Sequence, residues 1–152
     1  MTTTAPLPTG APAGIDPRGP QVTAAITAVV LAVVLLLPSP WAAALTGVQA
    51  VLFAVGATRG VQHTPHAWLF RHLVRPRLAP PSELEDPAPP RFAQAVGLAF
   101  TLVALVGFAS GVTLLGQVAI GFALVAALLN AVFRFCLGCE MYLLLKRTTS
   151  AA

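Results

Sequence analysis

The stretch FAQAVGLAFTLVALVGFASGVTLLGQVAIGFALVAALLNAVF, Phe92–Phe133, contains no charged residue and is broken only by Ser110-Gly111. Each half is close to the roughly 17–25 residues that a helix needs to cross the hydrocarbon core of a bilayer. A surface helix of a soluble domain keeps one polar face, and neither half has one. The stretch therefore reads as two spanning helices joined by a tight turn. The same pattern stands upstream, where Val22–Leu37 and Trp41–Thr58 are uncharged and are separated by Pro38-Ser39-Pro40.

These runs predict an all-α, polytopic membrane protein. Four transmembrane helices, at about 20–37, 41–58, 92–110 and 112–134, should form two antiparallel hairpins, because turns this short force neighbouring helices to pack side by side. The spans and their cytoplasmic loop, 59–91, make a single membrane domain, 20–147, between disordered tails at 1–19 and 148–152. The first run is read as a retained helix and not as a secretory signal. Met1–Gly14 has no Lys or Arg, and Leu37-Pro38-Ser39-Pro40-Trp41 leads straight into another apolar run.

Composition agrees: 57% of the 152 residues are hydrophobic and 9% are charged, against about 25% charged in ordinary soluble domains. The basic residues Arg18, Arg59, Arg71, Arg75, Arg77, Arg91, Arg134, Lys146 and Arg147 avoid both hairpin turns. Because Lys and Arg collect in cytoplasmic loops, the expected location is the cell membrane, with both termini and the 59–91 loop in the cytoplasm. The net charge of +4 then reflects orientation and attraction to lipid headgroups, not nucleic-acid binding. No phosphate-binding loop, nucleophile elbow or HExxH motif is present, which leaves nucleotide-driven and hydrolytic chemistry without support.

In the 59–91 loop, Thr64-Pro65 has the form of a helix cap followed by Pro at the first helical position, predicting a short helix to Arg75. Trp68, Leu69, His72 and Leu73 share one face and Arg71 and Arg75 another, as in an interfacial amphipathic helix. Leu78–Pro90 is too proline-rich for regular structure and is expected to be extended and solvated. Its carboxylates, Glu83, Glu85 and Asp86, read as a solvated linker paired with Arg77 or Arg91.

Cys136 and Cys139 are the two cysteines of the chain, in Phe135-Cys136-Leu137-Gly138-Cys139-Glu140. Thiols at this spacing close a disulfide, exchange one with a partner, or bind a soft metal. If the fourth helix continues to Lys146, then Cys136, Cys139 and Glu140 share one face while Arg134 projects away. The pair would then lie late in a helix, where the dipole disfavours a thiolate. A break near Arg134 would instead start a new helix near Cys136 and reverse that argument. His63 and His66 belong to the same predicted side, so Cys136, Cys139, His63 and His66 form a candidate Cys2His2 zinc site. Asn130, Arg134 and Gln94 form a candidate polar cluster beside the cysteines.

Gly14-Ile15-Asp16-Pro17-Arg18, Arg75-Pro76-Arg77-Leu78, Glu85-Asp86-Pro87, Pro90-Arg91-Phe92-Ala93-Gln94 and Phe135–Glu140 together resemble a bacterial integral-membrane family known as domain of unknown function 4395. The resemblance implies four membrane helices ending in a CxxC, in the company of thioredoxin-like and sulfurtransferase proteins, with no activity attached. A looser similarity of plan links the chain to membrane thiol oxidases of the vitamin K epoxide reductase type. Their second, loop-borne cysteine pair is lacking here, so their electron relay is not carried over. The leading expectation is a membrane-anchored dithiol protein that exchanges electrons or sulfur with a cytosolic thioredoxin-like or sulfurtransferase partner, with Cys136 and Cys139 reacting and Glu140 accepting a proton. The alternative is a non-enzymatic scaffold or small-solute carrier whose cysteines are structural or hold zinc.

Overall fold

The computed structural model describes residues 14–151, of which the great majority are helical. Four helices are long and apolar enough to cross a membrane: α1 (Arg18–Leu36), α2 (Ser39–Arg59), α4 (Ala88–Ala109) and α5 (Thr113–Phe133). Two shorter helices complete the set, α3 (Pro65–Leu69) in the long loop and α6 (Leu137–Ser150) after the last span. The expected all-α architecture of two antiparallel hairpins is what the chain adopts.

Local chemistry sets the helix boundaries. Proline occupies the first turn of α2 and of α4, where its missing N–H costs nothing. Gly60 and Gly111, at φ 99° and 79°, supply the backbone that ends α2 and reverses the chain between α4 and α5. The spanning helices pack in the cyclic order α1, α2, α4, α5, each against the next. Their outer surfaces remain apolar, with Val29, Val51, Val106, Leu114 and Val132 all exposed. An apolar belt of this kind needs lipid around it.

The packed core lies towards the end of the bundle that carries the two short turns. Leu31 and Val34 of α1, Ala42 of α2, Phe108 of α4, and Ala119 and Ile120 of α5 form one buried cluster there. Gly107 and Gly116 bring α4 and α5 into backbone contact: a Cβ on Gly107 would stand 2.5 Å from the Gly116 nitrogen. Between the two turns, the hydroxyls of Ser39 and Thr113 lie 3.3 Å apart.

At the opposite, Arg-rich end the 59–91 segment is anchored to the bundle. The Thr64 hydroxyl accepts from the Ala67 N–H at 3.3 Å, capping α3 as its sequence predicts. After α3 the chain widens into a π-turn at Phe70–Val74 and tightens into a 3-10 turn at Arg75–Arg77. Ala67 and Phe70 are buried, and the Phe70 ring covers Gly19 of α1, while Trp68, Leu69 and Leu73 stay exposed as an interfacial face. Burial also lowers the pKa of the His66 imidazole below its ordinary value.

The proline-rich segment is less free than its composition suggests. Ile15 and Glu85 exchange two backbone hydrogen bonds of 2.9 Å, an isolated antiparallel bridge. Arg18 donates to both carboxylate oxygens of Asp16 and, at 3.0 Å, to the Ala79 carbonyl. Asp16–Arg18 is the single ion pair among the described residues. Arg91 and Arg77 do not pair with the linker carboxylates. Arg91 donates to the Ala57 and Thr58 carbonyls at the C-terminus of α2, and Arg77 to the Leu73 carbonyl. These bonds satisfy carbonyls left open by helical geometry, and a cation near a helix C-terminus is favoured by the dipole. Of the expected N-terminal tail, 1–13 lies outside the described residues, whereas 14–17 is held by these contacts. At the other end, α6 extends to Ser150.

Candidate functional site

The fourth span does not continue through the cysteines. At Arg134 the backbone turns left-handed, φ 56° and ψ 25°, and the N–H groups of Arg134 and Phe135 fold back onto the carbonyls of Asn130 and Leu129. This is how helices commonly end, although glycine usually occupies such a position; a residue with a side chain costs about 1–2 kcal/mol there. The single-patch geometry of a continuous helix is thereby corrected. Arg134 does not project away from the cysteines: it lines the same pocket as Cys136, Cys139 and Glu140.

A new helix, α6, starts immediately. Cys136 is its N-cap, in extended conformation, and its sulfur accepts from the Cys139 N–H at 3.3 Å. Cys136 and Cys139 are joined by a disulfide, with Cα atoms 5.2 Å apart. The expectation that the pair trails a helix is overturned, and with it the objection to a thiolate. At a helix N-terminus the unpaired N–H groups and the dipole favour negative charge, and a thiol there is more acidic than a free one. Glu140 lies in the first turn of α6, and Arg134 borders the same pocket.

Gly138, between the cysteines, has a packing role. It is buried, and a Cβ there would stand 2.6 Å from both Cα and Cβ of Ala93 in α4. Its missing side chain lets α6 dock on α4, an attachment supplemented by the tilted pair Phe92 and Tyr142, with ring centroids 5.8 Å apart. The rest of α6 leaves Met141, Leu144 and Leu145 exposed.

Two cavities meet at the disulfide. One, of about 500 Å³, is bordered by Cys136, Cys139, Glu140, Arg134, Glu85 and Asp86 and lies at the polar end of the bundle. Its rim comes from four distant parts of the chain. Pro17 and Gln21 enter from the start of α1, Glu85 and Asp86 from the linker, Asn130 and Arg134 from the end of α5, and the cysteines from α6. The Ile15–Glu85 bridge, the Asp86 carboxylate accepting from the Ala88 N–H at 2.9 Å, and the Gln21 amide donating to the Ala131 carbonyl at 2.9 Å hold these parts together. The Arg18 guanidinium holds the Asp16 carboxyl below the usual carboxylate range, chiefly by hydrogen bonding to it.

The second cavity, of about 260 Å³, runs into the bundle between α1, α4 and α5 and is mostly apolar. Cys136 borders both cavities, whereas Cys139 borders the polar one alone. Gln94 lines the apolar cavity and Arg134 the polar one, while Asn130, like Cys136, borders both. Within the candidate polar cluster, Asn130 thus shares one cavity with Gln94 and the other with Arg134. Thr23, which the sequence does not mark out because threonine is common in spanning helices, also lines the apolar cavity.

His63 and His66 are not among the residues around the pair. Among the described residues no group of three or more His, Cys, Asp or Glu side chains is placed to hold a metal ion, and both sulfurs are joined to each other. The four residues of the candidate zinc site are not brought together.

Fold and site define a four-span membrane protein with a CxxC disulfide at the mouth of its bundle. The chain belongs to the family described as Domain of unknown function (DUF4395), whose match covers residues 15–147. No curated protein and no solved structure matches it.

Proposed function

We propose that the protein is a membrane-anchored dithiol–disulfide exchange protein, with its cysteine pair on the cytoplasmic face. The observation that carries this reading is the position of Cys136 as N-cap of α6, in a pocket that Arg134 and Glu140 also border. In the reduced form, Cys136 is the thiol stabilised as thiolate by the first-turn N–H groups and by Arg134. A cytosolic partner of thioredoxin-like chemistry presents a dithiol at the polar pocket. Its thiolate attacks the Cys136 sulfur, the Cys136–Cys139 bond breaks, and Cys139 departs as a thiolate that takes up a proton in the pocket beside Glu140. The partner's second thiol then resolves the mixed disulfide, so two electrons and two protons pass to the pair while the partner becomes a disulfide. The reverse sequence carries electrons outward. The reducing cytosol favours a pair that cycles over one that is permanently closed.

Orientation rests on the concentration of Arg and Lys at this end. Full-length protein carrying Cys139→Ala should trap a partner as a mixed disulfide on Cys136, and Cys136→Ala should trap far less. Thiol labelling of intact against lysed cells checks sidedness in the same material. If neither variant captures a partner, the disulfide is a staple for α6 and the exchange reading is wrong.

A further inference from the structure

One side of α6 has no partner within the chain. Leu137, Met141, Leu144 and Leu145 recur at i, i+4, i+7 and i+8, a spacing that places them on one face of the helix. All four are exposed, Met141 by 47%, Leu144 by 58% and Leu145 by 52%. Gly138 and Tyr142 take the adjoining face and dock on Ala93 and Phe92 of α4. Cys139, which borders the polar pocket with Leu143, lies on the side opposite the stripe. The depth of the stripe is fixed by that docking. Ala93 is the second residue of the uncharged stretch that begins at Phe92, so α6 is held where α4 enters the bilayer. Leu137 and Met141 also border the apolar cavity beside Phe122, which is 63% exposed on the outer surface of α5. The stripe is thus continuous with the belt that lipid covers. Towards its other end, Phe92, Tyr142, Leu145, Lys146 and Thr149 border a groove of about 330 Å³. Neither Lys146 nor the adjacent Arg147 is paired with a carboxylate among the described residues.

We propose that α6 is an interfacial helix that docks on anionic phospholipids at the Arg-rich end of the bundle. Its stripe sinks among the acyl chains, as amphipathic helices do when their apolar face enters the bilayer by about 5–10 Å. In the groove an acyl chain lies on Phe92 and Leu145 while the phosphodiester anion pairs with Lys146, and Arg147 takes a second head group. Their long aliphatic stems let both charges reach the head-group level from a helix whose other side is buried. Charge and depth together select lipid over a soluble protein. Two unpaired cations beside an apolar stripe match a surface of phosphodiesters, and a soluble protein would have to displace lipid to reach a stripe held at the level of Ala93. With the stripe in the bilayer, Cys139 on the opposite side of α6 faces the aqueous phase. The contact involves no thiol chemistry and is independent of the exchange reaction.

The test uses the full chain in nanodiscs of phosphatidylcholine and phosphatidylglycerol. Trp41→Phe and Trp68→Phe clear the background, and a single reporter is introduced by Leu144→Trp in the stripe or by Leu143→Trp beside the polar pocket. Both positions are exposed, so neither reporter intrudes on the core. Lipids brominated in the acyl chain should quench the Leu144→Trp reporter more strongly than the Leu143→Trp reporter, and aqueous acrylamide should quench them in the reverse order. Equal acrylamide quenching of the two places α6 in water, and a Leu144→Trp reporter shielded from both quenchers is covered by a second copy or another protein. Either result overturns the proposal. Charge is read separately, on the chain with its native tryptophans. Lys146→Ala combined with Arg147→Ala should weaken retention of phosphatidylglycerol relative to phosphatidylcholine by about fivefold for each charge removed. Equal retention by the variant and the unaltered chain overturns the proposal as well.

Discussion

The two ends of the bundle are built on opposite principles. At the turn end α4 and α5 touch through Gly107 and Gly116, and Leu31, Val34, Phe108 and Ile120 close the space between the hairpins. At the Arg-rich end the same helices are separated by a cavity lined by Gly97, Phe100, Ala123 and Ala126. A third element, α6, docks there through one glycine. Dispersion contacts hold the first end, as is usual where lipid removes the hydrophobic drive between helices. Hydrogen bonds and the docking of α6 on α4 hold the second. The contrast teaches that close packing at one end of a hairpin releases room at the other for polar groups and a reactive pair.

Breaking the packed end should have the largest effect on stability. Gly107→Leu drives a side chain into the Gly116 backbone, with an expected loss of about 3 kcal/mol, read as a lowered midpoint in detergent unfolding. The pair at the other end should keep its reactivity in the fraction that remains folded.

Next is the docking of α6. Gly138→Ala places a methyl 2.6 Å from Ala93, so α6 must lift away. We expect a local cost of about 2 kcal/mol, with partner trapping by Cys136 reduced and the global midpoint nearly unchanged. Ala93→Gly in the same chain should recover part of the loss, which a disturbance unrelated to this contact would not show.

Arg134→Gly sharpens the comparison, because its two consequences run in opposite directions. Relief of the left-handed backbone should stabilise the chain by about 1 kcal/mol, while loss of the guanidinium should raise the Cys136 thiol pKa. The pH dependence of alkylation of the reduced protein measures the second effect. An unchanged alkylation profile would remove Arg134 from the thiolate's surroundings.

The smallest effect concerns the latch between the start of α1 and the linker. The Asp16 carboxyl is held below its usual range by Arg18. Its ion pair therefore adds stability above the unfolded carboxylate value of about 3.9 and loses it as pH falls through the lower folded value. The protection factors of the Ile15 and Glu85 amides, which form the bridge, should be high at pH 5 and fall as the pH is taken below the unfolded carboxylate value of about 3.9.

The hairpins were legible from hydropathy because a spanning helix has to satisfy its own backbone, so chain-local composition is enough to reveal it. The cap at Thr64 was equally legible, since a cap acts within one turn. The cysteine spacing marks a candidate pair but leaves open whether the fourth helix continues across it or breaks near Arg134; the chain adopts the break, which has no clear signature because glycine normally fills such a left-handed position. The linker misled for a different reason: prolines excluded regular structure, yet two backbone bonds at Glu85 need no regular structure to hold it against Ile15.

By itself the sequence determined how many times the chain crosses a bilayer, where it turns and which end carries the charge. All of these follow from the free energy of transferring short, contiguous segments into hydrocarbon. The tertiary structure decided where α5 stops, that Cys136 begins a helix, that Gly138 is a contact surface for Ala93, and that the start of α1, the linker and the end of α5 surround one disulfide. Each of these depends on groups far apart in the chain competing for the same space and the same hydrogen bonds, and that competition is resolved only when the helices pack.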